Sequence, residues 1–186
     1  MKILGINAFH ADSSACILID GEIICAIEEE RLTRMKHWAG FPKLAIYSCL
    51  KEANIEIKDV DYIAINRDPN AHIFEKINFA IQKKPSLKNI INRVRSRKND
   101  HNIVNLISNH FKVESKLIDK KIFKVEHHLA HLASTFYTSK YEDAVTLSID
   151  GFGDFVSTMW GTVENDKIII DDYVPFPDSL GIFYQA

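Results

Sequence analysis

Apolar residues fall along this chain in short runs with two different spacings. Residues 2–8 and 15–19 are brief and almost continuously apolar, the pattern of strands buried in a sheet. A third run at 22–27 follows Asp20-Gly21, a hairpin signal because glycine tolerates the positive φ of a tight turn. The chain is therefore expected to open with a three-stranded antiparallel meander. Residues 42–53 begin with proline and place Leu44, Ala45, Tyr47, Cys49 and Leu50 among their apolar positions, which predicts a helix. Further strands are predicted at 61–66 and 122–125, and a helix at 127–137, where Leu129, Leu132, Ala133 and Phe136 recur at helical spacing. Strands at 144–149, 157–163 and 167–174 follow, the last two joined around Asn165-Asp166. Residues 70–118 stand apart: lysine- and arginine-rich, weakly helical and without a strand signal.

The pattern repeats once. The opening reads strand, Asn7-Ala8-Phe9-His10-Ala11-Asp12, strand, Asp20-Gly21, strand. From Val145 it reads strand, Asp150-Gly151-Phe152-Gly153-Asp154, strand, Asn165-Asp166, strand. A repeat at this distance suggests two related α/β lobes rather than a short-period solenoid. The first lobe is expected over 1–142, carrying a basic helical insertion at 70–118, with a second lobe beginning at 143–186. The closing stretch, Ser179-Leu180-Gly181-Ile182-Phe183-Tyr184-Gln185-Ala186, reads as the start of an element, so the chain is expected to be a fragment of a longer protein.

Composition narrows the class. The 186 residues suffice for one domain with a core, and 46% hydrophobic with 26% charged residues is the balance of a globular protein. A net charge of -2 argues against the whole chain binding nucleic acid. The three cysteines, Cys16, Cys25 and Cys49, form no CxxC pair, so neither a disulfide framework nor a thiolate zinc site is indicated, and a reducing cytoplasm is the expected location. Neither a signal peptide nor a transmembrane segment is expected.

Chemistry concentrates in a few places. His127 and His131, four apart on a predicted helix, put two imidazoles on one face. Asp150, at the end of the next strand, is a candidate third ligand. Two histidines and a carboxylate leave coordination positions open and suit Fe(II), Zn or Mn. The alternative is an ordinary pair of helix histidines. In Asp150-Gly151-Phe152-Gly153-Asp154 the glycines allow close backbone approach and expose N–H groups to phosphate, or serve a tight hairpin only. His10, Asp12, Ser13 and Ser14 share one turn, which taken alone is a polar turn. Glu28-Glu29-Glu30-Arg31-Leu32-Thr33-Arg34-Met35-Lys36-His37 follows an apolar strand, and Arg31, Arg34 and Lys36 could meet an anionic substrate. The basic stretch holding Lys83, Lys84, Lys88, Arg93, Arg95, Arg97 and Lys98 lacks interleaved aromatics and reads as a solvated helical insertion.

Ile3-Leu4-Gly5-Ile6-Asn7 with Phe9-His10, the run Glu28 through His37, Glu126-His127-His128-Leu129-Ala130-His131, Asp150-Gly151-Phe152-Gly153-Asp154 and Ser179-Leu180-Gly181-Ile182-Phe183-Tyr184 together resemble, in order, the O-carbamoyltransferase family of the nodulation protein U and cephalosporin and tobramycin carbamoyltransferase type. The turn at His10-Ala11-Asp12-Ser13-Ser14 carries one residue more than the family's His-Asp-Ala-Ser. The resemblance implies a ribonuclease-H-like, actin-like ATPase fold, here one full lobe plus the first hairpins of a second. It implies that a separate YrdC-like domain makes carbamoyl-adenylate from carbamoyl phosphate and ATP, and that the amino-terminal domain moves the carbamoyl group to a hydroxyl of a sugar or small-molecule acceptor. His127, His131 and Asp150 would hold an iron ion. His10 and Lys36 would line the transfer site, His10 accepting the hydroxyl proton and Lys36 facing the departing AMP. Asp12, Ser13 and Arg31 would contact nucleotide or substrate, and Gly151, Gly153 and Asp154 would sit beside nucleotide or metal. The expected partners are carbamoyl-adenylate and the hydroxyl acceptor, without membrane or nucleic acid and with a homodimer left open. This fragment alone is expected not to turn over. The rival readings are a sugar kinase-like phosphotransferase on the same scaffold, disfavoured because such kinases hold Mg²⁺ by carboxylates, and a non-catalytic module of the same fold.

Overall fold

A computed structural model describes residues 1–10, 12–83 and 102–185. Packing divides the chain into two compact units. The described parts of Met1–Asn66 and Lys88–Lys124 form one, and those of Arg67–Leu87 and Val125–Ala186 form the other.

In the first unit, β1 (Lys2–Asn7), β2 (Ser14–Ile19) and β3 (Glu22–Glu28) form the expected antiparallel meander. Asp20 and Gly21 both take positive φ, 51° and 90°, at its second turn. A short helix α1 (Glu29–Thr33) follows directly, then α2 (Lys43–Glu52), β4 (Tyr62–Ile65) and, after 102, α4 (Asn102–Phe111), α5 (Ser115–Asp119) and β5 (Ile122–Lys124). Strands β4 and β5 add in parallel beside β1, giving the order β3-β2-β1-β4-β5. Three antiparallel strands extended by parallel ones make the sheet of a ribonuclease-H-like lobe, in an α/β fold.

The core of this unit is aliphatic. Leu4 and Ile6 of β1, Ile17 of β2 and Ile63 of β4 pack with Ile46 and Leu50 of α2. Ile103 and Ile107 of α4 and Ile118 of α5 join the same cluster. This part of the expected insertion is therefore built into the core rather than solvated, because positions 103 and 107 share one helix face. Lys84, Lys88, Arg93, Arg95, Arg97 and Lys98 lie outside the described residues.

The start of α2 has an unusual cap. Pro42 precedes it and offers no capping side chain. Instead Glu29, 2% exposed, accepts hydrogen bonds from the backbone N–H groups of Leu44 (3.0 Å) and Ala45 (2.6 Å). A carboxylate is thus set against the positive end of a helix dipole by a neighbouring element. The sequence shows only an acidic run here; the fold makes its middle member structural.

In the second unit, α3 (Ile73–Lys83) precedes α6 (His127–Phe136), β6 (Ala144–Gly153), β7 (Val156–Glu164), β8 (Lys167–Pro175) and α7 (Leu180–Gln185). The sheet β6-β7-β8 is a second antiparallel meander, turned at Asn165 and Asp166, both of positive φ. The repeat seen in the sequence is therefore a repeat of topology. Helix α6 packs on β6 and β7, around Leu132, Val156 and Met159. The packed units consequently divide before α6, at 124/125, and not at residue 142, because the helix buries its apolar stripe on the sheet that follows it. Among the described residues no helix is long and apolar enough to cross a membrane.

Two outcomes are expected. Glu29→Ala should lower stability by about 1.5–3 kcal/mol, the range for losing hydrogen bonds to a charged group, with Glu29→Gln milder, both read from urea midpoints. Cys49 is fully buried, and burial, followed by its hydrogen bond with Cys25 and the nearness of Cys25 and Cys16, pushes its thiol up to about 12. It should resist alkylation at pH 8.5 until the protein unfolds. Because the folded value lies above the unfolded one, the linked stability is complete below about pH 9 and lost as pH rises towards about 12.

Candidate metal centre

Helix α6 begins where two carboxylates receive its free N–H groups. Glu126, the residue before it, accepts from Leu129 N–H at 2.6 Å. Asp154 accepts from His127 N–H at 3.0 Å and from Asp68 N–H at 2.7 Å through the same oxygen. Acids at this end satisfy orphan donors and complement the helix dipole. Burial raises the Asp154 carboxyl above its usual range, although both backbone N–H bonds favour its charged form.

His128 anchors the helix sideways. It is fully buried, its Nε2 lies 3.0 Å from the Val156 carbonyl and its Nδ1 2.8 Å from Ser148 Oγ. A carbonyl only accepts, so Nε2 carries the proton and the serine hydroxyl donates to Nδ1. Burial, foremost, depresses its basicity and keeps it neutral.

This docking presents His127 and His131 to Asp150. His127 Nε2 lies 2.8 Å from Asp150 Oδ2 and 3.1 Å from His131 Nε2, and His131 Nε2 lies 3.9 Å from Asp150 Oδ2. Ligand atoms about 2.1 Å from one ion and at right angles to each other lie ~3.0 Å apart, so two sides of the triangle are near that spacing and the third, from His131 to Asp150, is longer. Two imidazole nitrogens facing each other at 3.1 Å also need something electropositive between them, a proton or a cation. The donor set fits a divalent metal. Burial pulls the basicity of His131 down, and His127 beside it adds to the effect. Burial pushes Asp150 up, but the His127 hydrogen bond, the Gly151 N–H and the two imidazoles outweigh it and hold the carboxyl below its ordinary range.

The glycines around Asp150 divide by role. A Cβ on Gly153 would sit 1.9 Å from His127 Cδ2, so the ring occupies the space a side chain would take. A Cβ on Gly181 would meet the Asp150 carbonyl oxygen at 2.3 Å; α7 approaches the strand end that closely. Ser179 reinforces the approach, its hydroxyl lying 3.1 and 2.8 Å from the Asp150 and Gly151 carbonyls. Gly151 itself has open space at the Cβ position.

The remaining residues singled out from the sequence lie in the first unit. His10 is half-buried, and Lys36 is exposed. Arg31 is exposed and pairs with Glu28 at 3.4 Å. Ser13 is fully buried, its hydroxyl within reach of the His10 and Gly40 carbonyls at 3.0 and 2.8 Å, which ties the turn rather than exposing a ligand group. Asp12 meets the imidazole of His37. Sequence reasoning missed the anchoring by His128 and Ser148 and the bridging by Asp154. An acid immediately before a helical run was the only signal available for Glu126.

Gly153→Ala is expected to drive the His127 ring from Asp150 and to cost about 1–3 kcal/mol as an overpacked site, read from a urea midpoint and from altered His127 ring resonances.

The family model of the carbamoyltransferase N-terminus matches residues 2–186. Protein sll1178 of Synechocystis sp. is 32% identical over 203 residues, covering 99% of this chain and 31% of its own length. Nodulation protein NolNO of Sinorhizobium fredii is 32% identical over 181 residues, covering 96% of this chain and 25% of its own. The chain thus spans about a third or less of the length of these relatives. YeaZ from Pseudomonas aeruginosa aligns over 94% of this chain and 67% of its own, with a TM-score of 0.44 and 16% identity. By the span of the matching family model, the chain belongs to the carbamoyltransferase N-terminus family.

Proposed function

We propose that the full-length protein transfers a carbamoyl group from carbamoyl-adenylate to a hydroxyl of a sugar or other small-molecule acceptor. The observation that carries this reading is the convergence of His127, His131 and Asp150 in a chain of this family.

The chemistry asks little of the protein beyond orientation. Carbamoyl-adenylate is already activated, since AMP is a good leaving group. A divalent ion held by His127, His131 and Asp150, Fe(II) first and Zn or Mn as alternatives, supplies Lewis acidity towards a carbonyl or phosphate oxygen. Asp154 holds the backbone of His127, and His128 fixes the helix that carries both imidazoles, so these two residues keep the ligand triangle in shape. Lys36, exposed, is a cation suited to the phosphate of the departing AMP. His10 and Arg31 are further residues that the family resemblance assigns to acceptor and nucleotide.

Metal analysis tests the assignment. Purified protein should hold iron, zinc or manganese that His127→Ala and His131→Ala lose, with an affinity fall of about tenfold or more for variants of Asp154, which supports a ligand from behind. Equal metal content in all of these proteins would remove the site. Product carbamoylation from carbamoyl phosphate, ATP and acceptor should fall with the metal.

A further inference from the structure

The turn after β1 and the segment after α1 are clamped into one unit. Phe9 N–H donates to the Gly40 carbonyl (3.2 Å) and Ser13 N–H to the Trp38 carbonyl (2.9 Å). Ser13 Oγ adds a bond to Gly40 at 2.8 Å. Within this clamp Asp12 and His37 both adopt the left-handed backbone region, φ 62° and 55°, which non-glycine residues occupy only where their surroundings hold them. The hold on His37 is visible: its backbone N–H donates to Glu30 Oε2 at 3.0 Å. The result brings His37 Nδ1 to 3.1 Å from Asp12 Oδ1, while the ring remains 77% exposed. Lys36 precedes it in the chain.

A carboxylate on Nδ1 and an open Nε2 is the arrangement that turns an imidazole into an oriented base. The carboxylate fixes the tautomer with the proton on Nδ1, leaves the Nε2 lone pair outward and stabilises the imidazolium once formed. Resting on the transferase reading above, we propose that His37, oriented by Asp12, is the base that takes the proton of the acceptor hydroxyl, in place of His10, to which the family resemblance assigns that role. The hydroxyl oxygen attacks the carbamoyl carbon and the bond from that carbon to the phosphate oxygen breaks. AMP leaves with that electron pair. The hydroxyl proton passes to His37 Nε2 and then to water. Asp12 is thereby a positioning residue acting through His37, and Glu30 supports it by pinning the His37 backbone.

The experiment uses the full-length protein with carbamoyl-adenylate formed from carbamoyl phosphate and ATP, and glycerol as the hydroxyl probe. His37→Gln should lower kcat for carbamoyl transfer by about 10²–10⁴-fold with KM for glycerol little changed, the usual worth of a positioned base, while carbamoyl-adenylate formation persists. Added imidazole should restore part of the rate to His37→Gly, which a structural role would not allow. Ring-nitrogen NMR should find His37 as the Nδ1–H tautomer in the wild type and as the Nε2–H tautomer in Asp12→Ala. Failure of the wild type to release AMP from carbamoyl-adenylate would remove the transferase reading and this inference with it. A working wild type with His37→Gln within twofold of it, or with His37 already Nε2–H, would remove this inference alone.

Discussion

The imidazole of His128, wedged between α6 and the strands below it and hydrogen-bonded at both nitrogens, is the contact on which the convergence of His127, His131 and Asp150 depends. Its Nε2–H can go only to the Val156 carbonyl and its Nδ1 only to the Ser148 hydroxyl, so the helix cannot rotate or slide without stranding a buried polar group. Such a group costs about 1–3 kcal/mol when unpaired, more than one hydrogen bond contributes when made, and this asymmetry makes the contact a register lock. His127 and His131 lie one residue before and three after His128, and the lock sets where their rings point. Asp154 and Glu126 then fix the height of the helix through its first N–H groups.

The two units solve the problem of a core in different ways. The first buries isoleucine and leucine from sheet and helices in one aliphatic cluster. The second turns polar residues of β6 inward: Thr146 and Ser148 are buried, while Val145, Leu147 and Ile149 on the opposite face are 76%, 55% and 50% exposed. Alternation along a strand makes this a single choice, since one face cannot be inward without the other being outward. An apolar interior adds stability without specifying direction. A hydroxyl facing an imidazole specifies direction, as Ser148 does for His128.

Close packing finishes the centre. Gly153 lets the His127 ring lie against the backbone of β6, and Gly181 lets α7 press on the carbonyl of Asp150. Both glycines are needed for the absence of a side chain, a constraint that needs no positive φ. The same economy appears in Glu29, which sits in an acidic run yet serves as the missing cap of α2.

Much of this was legible in the residue order. Strand spacing gave all eight described strands and helical spacing gave α2 and α6, the doubled meander appeared as a doubled motif, and an i,i+4 histidine pair with the aspartate of the next strand named three residues that the fold brings together. These features are local or periodic, and local backbone preference and side-chain period are properties of sequence. Tertiary structure decided the rest: that α6 packs with the sheet following it, that Ile103 and Ile107 belong to a core, that Ser13 ties a turn, and that Asp12 meets His37 from 25 residues away. Each of these depends on which surfaces meet, and contact between distant segments leaves no period in the chain from which it could be read.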